Sequence, residues 1–176
     1  MTAERAREAY QLLNSAVLDL VCGTGVIDLY NSPRIQSVIT SDVELGVTRM
    51  TLSHLILTLS KINEVYRRYK ALIPQDVSKQ FKSLQREIQS RQVVEFRNKV
   101  VGHIWDDDLN RPLLDREILA ILNTVTGGDT EAFLRWINPA SDPSPGSVVG
   151  TVERVRDSIG RTYEIRSRSS VENRSR

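Results

Sequence analysis

Residues 96–103 read Phe-Arg-Asn-Lys-Val-Val-Gly-His, placing a guanidinium, an amide, an ammonium and an imidazole within two helical turns. These groups can hold a phosphate and move a proton. Arginine offers planar, permanently charged donors to phosphate oxygens, and histidine titrates near neutrality and serves as general base or acid. Spacing alone does not converge them. On an ideal helix of 3.6 residues per turn Arg97 and His103 lie about 240° apart, whereas Lys99 and His103 align at i and i+4. A second copy of the helix, from a partner chain, would complete the cluster. The competing reading is a structural Arg–His pair that fixes a helix end.

The surrounding charge bears on the choice. The chain of 176 residues has a net charge of only +2, but residues 79–99 alone carry +4 and residues 161–176 carry +3. Lys79, Lys82, Arg86 and Arg91 make this segment basic, and such a face is most simply a solvated helix surface. Tyr66-Arg67-Arg68-Tyr69-Lys70 interleaves bases with aromatics, a pattern that can stack on and grip nucleic acid. It also fits an ordinary helix end, where basic residues complement the dipole. Asp106-Asp107-Asp108 follows the cluster and can cap the turn or pair with Arg97 and Lys99.

Other chemistries are disfavoured. One cysteine, Cys22, cannot form an internal disulfide, and two histidines 49 positions apart give no metal-ligand spacing. No glycine-rich loop follows a strand, so no nucleotide cofactor site is expected, and no cofactor at all is called for. Cys22 reads as a small buried hydrophobe, His54 as a satisfied core histidine, and Trp105 and Trp136 as packing anchors. The N-terminus mixes acids with bases and lacks an apolar signal region. No apolar run approaches the roughly 18 residues of a membrane span, the longest being 52–59. A cytoplasmic protein without membrane contact is expected.

Helices must position these residues. Ala9, Leu13, Ala16, Val17, Leu20 and Val21 recur at helical spacing over 3–22, and Gly23-Thr24-Gly25 is expected to end that helix. Ser32-Pro33 reads as an N-cap and first helical residue of a short helix to about 39. Ser41 and Glu44 have the capping-box form and open a long helix to about 72, with Leu45, Met50, Leu52, Leu55, Ile56, Leu57, Leu59, Ile62 and Tyr66 facing inward. A second long helix spans 75–104. Its stripe shifts between Ile88 and Val93, which predicts a kink or a change of packing partner. Further helices are expected over 113–125, with Leu114, Ile118, Ile121, Leu122 and Val125 inward, and from Asp129 or Thr130 to Ile137. No segment has a strand pattern.

The domain so defined covers 1–137. A linker is expected over 138–146, then an amphipathic helix over 147–160 ending at Gly160, marked by Val148, Val152, Val155 and Ile159. That helix can pack on the body or on a partner. Residues 161–176 read as a basic, disordered tail.

Arg97-Asn98-Lys99-Val100-Val101-Gly102-His103 resembles the Arg, polar residue, short gap, His motif of the HEPN superfamily, closest to its toxin and abortive-infection-like bacterial branches. The resemblance covers roughly residues 5–137. It implies an all-α bundle of four or five helices with the motif late in a long helix. It also implies a metal-independent endoribonuclease whose two motifs face one cleft in a homodimer, cleaving by attack of the ribose 2′-OH on the adjacent phosphate. By that resemblance His103 is the general base or acid and Arg97 stabilises the phosphorane charge. Asn98 orients the phosphate or the histidine, Lys99 adds charge, and Lys79, Lys82, Arg86 and Arg91 follow the RNA backbone. RNA, a second copy and an antitoxin or regulator are the implied partners. An inactive member that binds a nucleotide or a protein is the alternative, and an unrelated helical regulator the third reading.

Overall fold

The computed structural model describes residues 2–101, 110–139 and 146–165, together with the backbone of 105–106. Its helices are α1 (Thr2–Tyr30), α2 (Pro33–Gln36), α3 (Ser41–Tyr69), α4 (Gln75–Ser90), α5 (Val93–Phe96), α6 (Asp115–Thr126), α7 (Thr130–Ile137) and α8 (Val148–Thr162). The fold is thus all-α, and it includes a C-terminal helix. The strand content among the described residues is one antiparallel bridge, β1 (Trp105–Asp106) to β2 (Arg111–Pro112). It was not expected, because two residues are too few to leave a period-2 pattern.

Helices α1 and α3 lie along each other, α8 packs on α1 and α4, and α4 packs back on α3. Gly23 does not stop α1. A Cβ there would sit 2.6 Å from Leu55 Cδ2, so the missing side chain lets α3 approach. Thr24 donates its hydroxyl to the Leu20 carbonyl at 3.0 Å, and the helix runs on to Tyr30. The extended α1 holds an 18-residue window of mean hydropathy 1.5, long and apolar enough to cross a membrane by length and composition. This corrects the expectation that no such run exists. In the bundle, α1 buries Ala6, Ala9, Leu13, Ala16, Val17, Leu20 and Ile27.

Ser41 is the first residue of α3, with Thr40 at the N-cap and no side-chain cap bond, so no capping box forms. Leu52, Leu55, Ile56, Leu59 and Ile62 are buried, but Leu45 and Met50 are 70% and 74% exposed, against expectation. The reason is length. Helices α4 and α8 have 16 and 15 residues against 29 in α1 and α3, so they flank only part of that pair. Cys22 and His54 lie on this uncovered stretch beside an open groove, and both are exposed rather than buried. His54 Nε2 faces Asp19 Oδ1 at 3.7 Å.

The C-terminal helix is part of the bundle. Val148, Val149, Val152, Val155 and Ile159 are each at most 2% exposed. Ser158 Oγ lies 3.0 Å from both Asp76 carboxylate oxygens, fixing α8 to the start of α4. Gly160 does not end the helix. A Cβ there would meet the Tyr10 ring at 3.0 Å, so the glycine admits α1. The helix closes at Thr162, and the Ile165 N–H donates to the Gly160 carbonyl at 2.9 Å with Glu164 left-handed at φ 52. Ile165 packs against the core, so residues 161–165 are not the disordered tail expected of them. Residues 166–176 and the linker residues 140–145 lie outside the described residues.

Helix α6 starts at Asp115, with Leu114 as N-cap and 47% exposed rather than inward. Glu117 anchors that start. It accepts two hydrogen bonds from Arg111, at 2.7 and 2.8 Å, and one from the Leu114 N–H at 2.7 Å. The Arg111 bonds, then the backbone bond, lower its pKa from 4.5 to about 2. A carboxyl whose folded pKa is depressed stabilises the fold above its unfolded pKa and loses that effect as pH falls through the folded value. Carboxyl NMR is expected to place the Glu117 midpoint near 2. A midpoint in the ordinary range near 4 contradicts the clasp.

Candidate functional site

The candidate residues sit where a helix breaks. Helix α4 ends at Ser90, and Gln92 takes a left-handed conformation at φ 55 before α5 begins. This is the turn point that the shift from Ile88 to Val93 predicted. It splits the expected 75–104 helix into α4, α5 and a π-helical turn over Arg97–Val101. Val93 and Phe96 are buried and hold α5 against the core. The widened turn therefore carries the motif's Arg97, Asn98 and Lys99. Single π-turns are rare and recur at functional sites. Their i→i+5 bonding turns the chain less per residue than an α-helix.

Arg97 donates from Nε and a terminal nitrogen to the Asn98 amide oxygen, at 3.1 and 3.0 Å. It has no carboxylate partner among the described residues. Asn98 is exposed and orients the guanidinium. Lys99 pairs with Glu95 at 3.4 Å. His103 lies outside the described residues, as do Gly102, Asp107 and Asp108, and the Trp105 side chain is likewise not described.

Arg97 forms one wall of a polar cleft of about 320 Å³, also lined by Ser60, Asn63, Glu64, Arg67, Arg68 and Val94. Sequence spacing gave no sign of this neighbourhood, because all of these residues but Val94 lie 29 or more positions from Arg97. Ser60 and Asn63 are buried on the inner face of α3. The Gln85 amide donates to Asn63 Oδ1 at 3.1 Å, which engages one of its two lone pairs. Arg68 is paired with Glu64 at 2.6 Å.

The basic residues of α4 divide. Lys82 and Arg86 are exposed on its outer face, as is Lys79. Arg91 is not available in the way expected of a phosphate contact. Its guanidinium donates to the Val125 carbonyl at 3.1 Å and lies 4.3 Å from the Trp136 ring centre and 5.8 Å from that of Phe133. Glu87 faces it at 3.4 Å. Arg91 therefore joins the end of α4 to α6 and α7, and Trp136 is a packing residue as expected. Arg91→Ala leaves a carbonyl without its donor and removes the cation–π contact. It is expected to cost ~1–3 kcal/mol by urea denaturation, and an unchanged midpoint contradicts this role.

No family model and no curated protein matches the chain. Among solved structures, an integron cassette protein, Vpc_cass2, from the mobile metagenome of V. paracholerae is similar in fold, with a TM-score of 0.70 and 19% identity. The match covers 89% of this chain and 96% of that one, so the two share one architecture over nearly their whole lengths.

Proposed function

We propose that the chain is a metal-independent HEPN endoribonuclease, toxin-like or defence-related, acting in the cytoplasm as a homodimer. The observation that carries this reading is Arg97: the motif arginine opens a π-turn beside a polar cleft, and among the described residues no carboxylate neutralises it. Arg97 stabilises the charge that develops on the phosphorane as the ribose 2′-OH attacks. His103, six positions on, takes the 2′-OH proton or supplies one to the leaving 5′-oxygen. Both steps use protein groups alone. Asn98 keeps the guanidinium oriented, Lys99 adds positive charge, and Lys82 and Arg86 offer contacts to the RNA backbone. A second copy brings the two motifs to one cleft, and an antitoxin or regulatory protein restrains the activity.

The test is incubation of total RNA in EDTA with wild type, Arg97→Ala and His103→Ala. Cutting by wild type alone is the expected result. No cutting by a folded, dimeric wild type would favour an inactive helical dimer that binds a nucleotide or a protein. Equal cutting by all three proteins would exclude this site.

A further inference from the structure

The cleft beside Arg97 has more binding chemistry than the motif uses. Among the described residues that line it, the charged side chains are mostly donors. Arg97 enters from the π-turn and Arg67 from the last turn of α3. Arg67 has no hydrogen-bond or ion-pair partner among the described residues. The Gln85 bond to the Asn63 oxygen fixes that amide, and its NH₂ is a donor it can offer an occupant. Ser60 adds a hydroxyl on the buried side. The single carboxylate among the described lining residues, Glu64, is already tied to Arg68. Among the described residues three guanidinium groups therefore line the cleft with one carboxylate, in a space within the size range of small-ligand pockets, ~300–1,000 Å³. Such a site favours an anion with several acceptor oxygens, and two arginines from different elements suit a phosphodiester.

We infer that this cleft binds a backbone phosphate of single-stranded RNA next to the one that is cut, with Arg67 and Arg97 on its two sides and Asn63 as a further donor. Arg67 is thus a substrate-binding residue contributed by α3. The inference rests on the ribonuclease reading for the identity of the anion, but not on the cutting step. Arg67 is exposed and has no hydrogen-bond or ion-pair partner among the described residues, so its loss is expected to leave the bundle intact.

The test uses a fluorescent 2′-O-methyl RNA oligonucleotide, which has no free 2′-OH and cannot be cut by this route. Binding is followed by anisotropy across a salt series for wild type, Arg67→Ala and Arg49→Ala. Arg49 is an exposed arginine on the same helix, 18 residues and about 27 Å away. Arg67→Ala is expected to weaken binding about tenfold and to reduce the salt slope by about 1, as loss of one phosphate contact should. Arg49→Ala is expected to change affinity less than about twofold. No wild-type binding at low salt, or equal losses in both variants, overturns the inference. So does binding of pyrophosphate to the cleft without the oligonucleotide, which assigns it to a free anion. If Arg67 controls binding while total RNA stays uncut, the cleft stands and the nuclease reading falls. If RNA is cut and Arg67→Ala behaves as wild type, the cleft assignment falls alone.

Discussion

Arg97→Ala is expected to lower metal-free RNA cleavage by ~10²–10³-fold, the usual loss when one donor to a developing negative charge is removed. The fold should not suffer. Arg97 hydrogen-bonds only to its neighbour Asn98 among the described residues, and the core contacts of the segment belong to Val93, Phe96 and Val100. Arg97→Lys keeps the charge but not the planar fork, so it should recover only part of the loss. His103→Ala is expected to cost ~10²–10⁴-fold, the range for a general acid or base. Initial rates on a defined RNA in EDTA, with thermal melts of each variant, check all three. An Arg97→Ala enzyme at wild-type rate removes Arg97 from the chemistry.

Disrupting α8 is expected to have the largest effect on stability. This helix puts five side chains, Val148, Val149, Val152, Val155 and Ile159, into the same core as α1 and α4. Ile159→Ala removes a fully buried branched chain and is expected to cost ~2–5 kcal/mol, depending on how far the site collapses. Ending the chain at residue 139 exposes the flank of α1 and α4 and is expected to abolish the cooperative urea transition. A truncated chain with the wild-type midpoint would mean that α8 is an appendage. Ser158→Ala should cost much less, since Asp76 remains near solvent at the start of α4.

Much of the helix content could be read from apolar periodicity, and one irregularity proved informative. The five-residue step from Ile88 to Val93 marked the break where Gln92 turns left-handed. Glycines misled in two places. Gly23 and Gly160 look like helix stops, but each gives a neighbouring helix room, and only the packing of Leu55 and Tyr10 shows this. Gly127 does end α6, in a left-handed conformation with φ 72. Exposure was misjudged at Leu45, Met50, Cys22 and His54, because periodicity shows which face is apolar but not how far the covering helices extend. The same limit applies at the site. The motif residues Arg97, Asn98 and Lys99 could be picked out by type and spacing. The π-turn, and the meeting of Arg97 with Arg67 and Asn63, depend on how α5 docks against α3. Arg91 shows the converse: a basic residue in a basic run, held over Trp136 rather than offered to solvent.

The most direct test of the central claim is cleavage, in EDTA, of an RNA oligonucleotide with a mapped cut, beside the same oligonucleotide with one 2′-deoxyribose on the 5′ side of that bond. Attack by the 2′-OH predicts a 2′,3′-cyclic phosphate end on the first substrate and no cutting at the substituted bond of the second. Cutting at the deoxy position, or products with 3′-hydroxyl and 5′-phosphate ends, would contradict it.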